Sequence, residues 1–311
     1  DYTEVTTADE EWIYKSPMYG IQKLVYNIYA RVPNGFEKNY EGGRGATLAA
    51  ATDEAECALS YSSVHRFYNG GWNPNNPFSF TWSNSYAAIA EANTFHEKRD
   101  KINLDEYKNN LDFEAMKKKF ELFEYEVRFL RAYFYFEKVK RFGDVPWYDK
   151  VLGSDDADLY KARDSREFVM GKIMEDLNFA IEVFKETNRT KELYRVTWWT
   201  AQALKSRVGL FEGTYRKYHG LGDYEKYLND CVSASNEIMT ASGGYSLYQS
   251  GSQSYRNLFK SENAIDAEII LARDYNNDLS LVHKVQAFEN SPTLGLSLIH
   301  ISEPTRRSYI S

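Results

Sequence analysis

Apolar residues recur along much of the chain at alternating steps of three and four, the spacing of one face of an α-helix. The longest pattern predicts a helix over residues 112–141, with Asp112 as its N-cap and Leu111 packed against its first turn. Gly143 is expected to end this helix. Residues 129–136 leave almost no polar face, so this half must be surrounded by other elements and form the core. The apolar positions are Phe113, Met116, Phe120, Phe123, Val127, Leu130 and Phe134.

Further segments with the same spacing predict a mainly α-helical fold. Asp164 with Glu167 resembles a capping box, Thr197 and Asp223 are placed to cap later helices, and Gly213 is expected to end one. Helices paired through short turns, each with an apolar stripe, are typical of hairpins stacked as in tetratricopeptide arrays. These predicted helices cover residues 17–32, 78–99, 165–186, 197–213 and 223–242.

The first two predicted helices are separated by a long insertion, residues 33–77, that is rich in Gly and Asn. Insertions of this length between packed helices are usually functional or disordered. This one also carries many aromatic residues, too many for a solvated linker. A folded loop that faces a ligand is therefore the preferred interpretation.

The C-terminal part of the chain shows no helical spacing. Residues 267–271 predict a strand or a short buried run, within a segment, 262–295, that is expected to begin a second subdomain. Residues 296–311 resemble an in-frame translation of a sequencing adapter and are expected to be non-native and outside the fold. The native domain is therefore expected to occupy residues 1–295 and to be partial.

Composition narrows the class of protein. The chain has 311 residues, of which 43% are hydrophobic and 16% aromatic, enough for a substantial core and for rings at a binding surface. A net charge of -7 leaves no basic footprint, so nucleic acid is not an expected partner. No apolar run is long enough to span a membrane. The chain starts at Asp1 without Met or an export signal, which indicates a processed or trimmed start.

Motifs for catalysis, metals or cofactors are not found in the sequence. It contains no GxSxG, HExxH or CxxC, and its five histidines are scattered singly. Residues 273–278 alternate oxygen-bearing side chains but lack the Gly and distal Glu of a calcium loop, so a polar turn is preferred. The protein is expected not to be an enzyme and to use no cofactor, and the sequence predicts no metal-binding residues. A glycosidase site formed by two carboxylates stays an open alternative, because any two of the 45 acidic residues could meet in the folded protein.

The insertion carries the candidate ligand site. Sugars present apolar C–H faces edged by hydroxyls, so a glycan site needs flat rings for stacking and polar side chains around them. The alternative is that these rings only attach the loop to the helical body. For Asp53, capping of the next turn is an equal alternative. The candidate glycan-binding residues are Tyr61, His65, Arg66, Tyr68, Asn69, Trp72 and Asp53.

Several segments, in order, resemble those of the SusD/RagB family of outer-membrane glycan-binding lipoproteins. The signature segment FEYEVRFLRAYFYFEKVKRFGDVPWY at Phe123–Tyr148 is the most specific of them. The resemblance extends from Asp1 to about Leu271. The other matching segments are ATDEAE at Ala51–Glu56, WSNSYAAIAEAN at Trp82–Asn93, REFVMGKIMEDLNFAI at Arg166–Ile181 and VTWWTAQALKSRVGLFEG at Val196–Gly213.

The resemblance implies a SusD-like α-helical fold of tetratricopeptide-like helix pairs with a loop-rich insertion. It also implies a lipid anchor on an N-terminal Cys, absent from this chain, that holds the protein on the outer surface of a Bacteroidetes-type outer membrane. The implied partner is a SusC-like TonB-dependent transporter, over which the protein acts as a lid that delivers oligosaccharide. The second half of the family domain, which contributes part of the ligand site, is missing here. Family members often place ligand-contacting aromatic residues after the TDE segment, where Tyr61 to Trp72 lie.

Three functional hypotheses remain. The first is a cell-surface glycan-binding component of a nutrient uptake system that binds oligosaccharide or polysaccharide. The second is a protein-interaction scaffold that docks a transporter and carries peptides or other non-glycan cargo. The third, which the sequence supports least, is an α-helical glycosidase.

Overall fold

The computed structural model describes residues 17–33, 56–57, 63–67, 69–73, 75–76, 80–261, 263–275 and 296–297. Within these ranges the fold is mainly α-helical, as predicted. The helices are α1 Pro17–Ala30, α2 Phe80–Arg99, α3 Phe113–Phe142, α4 Arg166–Thr187, α5 Trp198–Tyr218, α6 Tyr224–Thr240 and α7 Ser254–Lys260. Short 3₁₀ helices cover Ser63–Phe67, Leu104–Tyr107 and Ala157–Tyr160.

The chain divides into two compact units. The first comprises residues 1–30 and 86–272, and the second comprises residues 31–85 and 273–311. The predicted insertion, 33–77, lies in the second unit. There β1, Glu56–Cys57, pairs antiparallel with β2, Leu296–Ser297. Residues 298–311 lie outside the described residues, so the assignment of 296–311 as a non-native tail stays a prediction.

Helix α3 forms the centre of the first unit. It packs against α1, α4 and α5, which explains why its second half carries apolar residues on nearly every side. The prediction that this half lies in the core is confirmed. The buried apolar side chains of the whole helix α3 are Phe120, Phe123, Val127, Phe129, Leu130, Ala132, Phe134, Tyr135, Phe136 and Val139.

The most extensive helix packing is between helices that follow each other in the sequence and form hairpins. Helix α3 packs on α4 and α5 packs on α6, which confirms the predicted helix pairs. Two glycines one turn apart bring α5 and α6 close together. A Cβ added to Gly209 would lie 2.5 Å from the carbonyl oxygen of Tyr227, and one added to Gly213 would lie 2.7 Å from Leu228 Cδ2. Gly213 is therefore a contact residue within the helix, and the prediction that it ends α5 is wrong.

The helix caps agree only in part with the prediction. Thr197 begins α5 with a reciprocal capping box to Thr200, as its position indicated. The cap of α4 is Ser165, whose hydroxyl accepts a backbone N–H of the first turn. The predicted cap, Asp164, instead accepts the backbone N–H of Trp147 at 2.7 Å. Its carboxylate is already used by a loop, so the neighbouring serine caps the helix.

The predictions for Leu111 and for residues 267–271 are also wrong. Leu111 is fully exposed, so it does not pack against the first turn of α3. Asp112 is the N-cap residue of this helix, but its side chain makes no capping hydrogen bond. Residues 267–271 form neither a strand nor a buried run. They form a turn of partly exposed residues, in which Glu268 accepts the backbone N–H of Tyr248 at 2.8 Å.

Buried carboxylates of the first unit are paired with guanidinium groups from other helices or loops. Asp176 on α4 receives two hydrogen bonds from Arg131 on α3, each 2.8 Å long. Glu126 on α3 is held by both Arg195, at 2.6 and 2.7 Å, and the Tyr29 hydroxyl, at 2.7 Å. Burial raises the pKa of Glu126, although Arg195 and Tyr29 act to lower it. These charge-assisted hydrogen bonds link α1, α3 and α4 in fixed register.

His96 is mostly buried on α2 in a positive environment. Desolvation, together with Arg131, Arg128 and Arg99, lowers the pKa of its imidazole to about 3. Its Nε2 atom is buried and has no hydrogen-bond partner among the residues that the structure describes. A neutral imidazole is therefore strongly preferred in the folded state.

This environment predicts a loss of stability in acid. The unfolded chain takes up a proton at His96 below about pH 6.5, whereas the folded state does so only near pH 3, so this contribution to stability is lost progressively as the pH falls between these values. At pH 5 the loss should be about 2 kcal/mol. Denaturant unfolding of the parent and His96→Leu at pH 7 and pH 5 measures it, and the variant should lose less on acidification.

The matched control is His219→Leu, which removes an exposed imidazole at the end of α5. Its loss on acidification should equal that of the parent. A His96→Leu variant that loses as much as the parent would contradict the assignment.

Candidate functional site

The candidate site lies in the second unit, around the 3₁₀ helix Ser63–Phe67 and the turn that follows it. The structure brings His65, Arg66, Asn69 and Trp72 together there. The other predicted site residues, Asp53, Tyr61 and Tyr68, lie outside the described residues and stay predictions.

Backbone hydrogen bonds fold this segment back on itself. The Asn69 N–H donates to the His65 carbonyl at 3.0 Å, and the Trp72 N–H donates to the Arg66 carbonyl at 3.2 Å. Between them Gly70 has a φ of 76°, in the left-handed region that glycine adopts without strain. The chain therefore reverses direction, and Trp72 lies directly beside Arg66.

Gly71 allows a close approach within this turn. Its N–H donates to Asn69 Oδ1 at 2.9 Å. A Cβ at this position would lie 2.8 Å from the same oxygen and 3.2 Å from Arg66 Cγ. A larger residue would displace the Asn69 amide and crowd the arginine stem, so the turn favours glycine here.

The asparagines of the segment brace the turn. The Asn75 N–H donates to Asn73 Oδ1 at 3.0 Å, and Asn76 Nδ2 donates to the Gly71 carbonyl at 2.8 Å. The Asn76 N–H also donates to the Asn73 carbonyl at 2.9 Å. Sequence reasoning treated amides such as Asn69 as ligand contacts, whereas much of their hydrogen-bonding capacity holds the backbone.

The turn presents an aromatic ring. The Trp72 side chain is 55% exposed, and its ring meets that of Phe67 edge-on, with centroids 5.3 Å apart and planes at 78°. Such a T-shaped contact fixes the orientation of the indole. Phe67 was not among the predicted site residues. The sequence signal that could have indicated Phe67 is the glycine pair between it and Trp72, because two glycines allow a turn that brings the two rings together.

Chemically, this arrangement suits binding more than catalysis. An oriented indole face can stack on the C–H face of a sugar, while neighbouring amide and guanidinium groups can hydrogen-bond its hydroxyls. Among the described residues, no group of three or more His, Cys, Asp or Glu side chains is placed to hold a metal ion. None of the helices described is long and apolar enough to cross a membrane.

Stacked helix hairpins, with an additional loop unit that displays an oriented tryptophan, define the class as a helical-repeat protein. Within that class, the chain belongs to the SusD-like family described as "Starch-binding associating with outer membrane", because residues 13–210 match its family model. The resemblance recognised in the sequence is therefore confirmed at the level of the family.

Individual relatives agree with this assignment. SusD-like protein P25 of Formosa agariphila is 23% identical over 201 residues, which is 65% of this chain and 33% of that protein. A SusD-like protein of Bacteroides fragilis shares the fold with a TM-score of 0.62 and 24% identity over 85% of this chain and 46% of that chain. A laminarin-binding SusD-like protein shares the fold with a TM-score of 0.59 and 21% identity, over 84% of this chain and 51% of that chain. The chain thus spans a third of the curated relative and about half of each solved structure.

Proposed function

We propose that this chain is a glycan-binding component of a cell-surface nutrient uptake system, and that the turn at Trp72 contacts the glycan. The observation that carries the proposal is the exposed Trp72 ring on a glycine- and asparagine-braced turn. The family description and a relative named for laminarin binding support a saccharide as the ligand. No described cluster of groups favours an enzyme.

The proposal includes the cellular setting. The protein is anchored by a lipid to the outer face of the outer membrane, and it works as a lid and delivery protein for a SusC-like TonB-dependent transporter. Membrane association in the family description supports this location. Residues 1–295 form a partial SusD-like domain, and Tyr61, Tyr68 and Asp53 complete the site beside Trp72.

A braced turn matters because saccharides are bound through a few weak contacts. A freely rotating indole would lose side-chain entropy on binding, which would offset much of the stacking energy. Here Phe67 restricts the ring, and the backbone bond from Trp72 to the Arg66 carbonyl holds its position. Most of the ordering therefore takes place on folding, before the glycan arrives.

Replacement of Trp72 by alanine should weaken glycan binding about tenfold, because one stacked ring contributes about 1–2 kcal/mol. Affinity electrophoresis in gels that contain single polysaccharides, including starch and laminarin, identifies a bound glycan and compares the variant with the parent. Stability should change little, since the indole is more than half exposed.

Tyr218→Ala is the matched control, because it removes a similarly exposed ring from the end of α5 in the other unit. Its retardation should equal that of the parent. Equal retardation of Trp72→Ala would exclude this turn as the site. If no polysaccharide retards the parent while a transporter co-purifies with it, the scaffold hypothesis is favoured. Release of reducing sugar would favour the glycosidase.

A further inference from the structure

Helix α7, in the first unit, displays two aromatic rings without burying any of its residues. Each of the longer helices α1–α6 buries apolar side chains, which is what normally stabilises a helix in a folded protein. On α7, Tyr255 and Phe259 lie one turn apart, and their side chains are 79% and 72% exposed. The two largest apolar groups of this helix therefore face solvent.

Polar hydrogen bonds hold the first turn of α7 in place. The Ser254 hydroxyl accepts the Ser250 N–H at 2.7 Å and donates to the Gly251 carbonyl at 2.7 Å. Asn257 Nδ2 donates to the Ser250 hydroxyl at 3.0 Å. Gly251 has a φ of 81°, in the left-handed region, so the chain reverses just before the helix. None of these bonds uses an aromatic side chain, so the rings are not needed to form the turn.

The segment that leads into this turn is attached to the chain that follows the helix. The Ser246 N–H donates to the Ala267 carbonyl at 3.0 Å, and the Tyr248 N–H donates to the Glu268 carboxylate at 2.8 Å. The two rings of α7 also contact each other, with centroids 4.9 Å apart and planes at 55°. They are therefore displayed in a restricted orientation on a fixed support, as the indole is at the Trp72 turn.

We propose that Tyr255 and Phe259 form a second glycan contact, on the first unit, for the same polysaccharide that binds at Trp72. This inference rests on the proposed function, because it adds a contact for the same class of ligand. Each ring can stack on the C–H face of a sugar, and because the rings are tilted they contact different sugar units.

The charges beside the rings favour a saccharide over an apolar protein surface. Arg256 follows Tyr255 in the sequence, Lys260 follows Phe259, and both cationic side chains are exposed. An apolar partner laid over the rings would desolvate these two charges, which costs free energy. A saccharide covers only the ring faces, and its hydroxyls accept hydrogen bonds from the neighbouring cations. The mixed character of this face therefore suits a polar ligand.

A second contact has a particular effect on long chains. A polysaccharide repeats its sugar unit many times, so a molecule bound at one contact raises the effective concentration of sugar at the other. A short oligosaccharide reaches one contact at a time and gains nothing from the second. Loss of the α7 contact should therefore weaken binding more strongly for long chains than for short ones.

The test is the double variant Tyr255→Ala with Phe259→Ala in the full 311-residue chain. Affinity electrophoresis in the polysaccharide that retards the parent should show binding about tenfold weaker, because two stacking rings are lost. The ratio of parent to variant affinity should be smaller for a short oligosaccharide of the same glycan, measured by titration calorimetry. The urea midpoint of unfolding should not change, since α7 buries no residue.

Tyr160→Ala with Tyr218→Ala is the matched control. It also removes two rings, which are 87% and 83% exposed and belong to the 3₁₀ helix Ala157–Tyr160 and to α5. Its retardation should equal that of the parent. A loss as large as that of the α7 variant would show that exposed rings bind the gel without a defined site, and would overturn the proposal.

The outcomes separate this inference from the proposed function. Unchanged retardation of the α7 double variant, with Trp72→Ala still weakened, would overturn the second contact and keep the glycan site. Weaker retardation of the α7 variant with Trp72→Ala unchanged would keep the α7 contact and remove the Trp72 site. Unchanged retardation together with lost self-association or lost binding to phosphatidylglycerol vesicles would assign the face to a protein or lipid surface instead. Failure of every polysaccharide to retard the parent would remove the proposed function itself.

Discussion

Replacement of Glu212 by alanine is expected to lower the free energy of unfolding by about 3–5 kcal/mol, the cost of leaving buried charges without their partner. Glu212 is fully buried on α5 between two arginines. Arg166 of α4 donates to its carboxylate through Nε at 3.0 Å and through Nη2 at 2.6 Å. Arg216, one turn further along α5, donates through Nε at 2.9 Å.

The two arginines also have other contacts that fix them in place. Arg166 lies over the Tyr215 ring at 3.7 Å, and Arg216 donates to the Gly222 carbonyl at 3.1 Å and to Glu167. They cannot leave the site when the carboxylate is removed, so Arg166 would lose its carboxylate partner and Arg216 would keep only Glu167, whose side chain is 65% exposed. Repulsion between the two guanidinium groups then adds to the cost of desolvation.

Urea unfolding measures the effect, and Glu186→Ala serves as the control. Glu186 is an exposed acid on α4, and its loss should change the unfolding free energy by less than about 0.5 kcal/mol. A triple variant, Glu212→Leu with Arg166→Met and Arg216→Met, should be more stable than the single variant, because it leaves no buried charge. A cost below about 1 kcal/mol for Glu212→Ala would show that the arginines find other partners.

Replacement of Gly209 by alanine is expected to cost about 3 kcal/mol, at the upper end of the range for overpacked sites. The added methyl would lie 2.5 Å from the Tyr227 carbonyl oxygen and 2.9 Å from the Cys231 backbone nitrogen. Both neighbours are backbone atoms of α6, which cannot rotate away as a side chain could. The helices must move apart, and contacts along the whole α5–α6 hairpin weaken.

The control for this prediction is the same substitution at Gly171 on α4, where nothing lies within 4 Å of the added Cβ. There alanine should stabilise the protein by about 0.5–1 kcal/mol through its higher helix propensity. Thermal unfolding of both variants should therefore show shifts of opposite sign. A neutral Gly209→Ala variant would mean that α5 and α6 pack less closely than described.

Sequence reasoning located the helices well because their apolar spacing is a property of each segment alone. It failed where a residue has a partner distant in sequence. The position of Gly213 in the sequence is typical of a helix end. In the structure its lack of a side chain instead allows close packing against Leu228 of another helix. Asp164 has the form of a cap, but its carboxylate is used by Trp147 in a preceding loop. Neither partner can be recognised from local pattern.

For the candidate site, the sequence predicted a folded loop, and its described residues form a turn with an exposed ring, but local pattern could not assign roles within it. Asn69 was grouped with Trp72 as a ligand contact, whereas its Oδ1 accepts the Gly71 N–H. Phe67 was overlooked, because only the reversal at Gly70 brings its ring against Trp72. The roles depend on the path of the backbone, which asparagine and glycine composition does not specify.

The backbone and amide hydrogen bonds described for the Trp72 turn have both donor and acceptor within residues 65–76. Its shape therefore depends in large part on hydrogen bonds among its own residues. Such a turn can be exchanged in evolution, by a few substitutions or by recombination of one short stretch, without repacking the helical repeats. Ligand preference can then diverge faster than the scaffold, and closely similar helical bodies can be suited to different glycans.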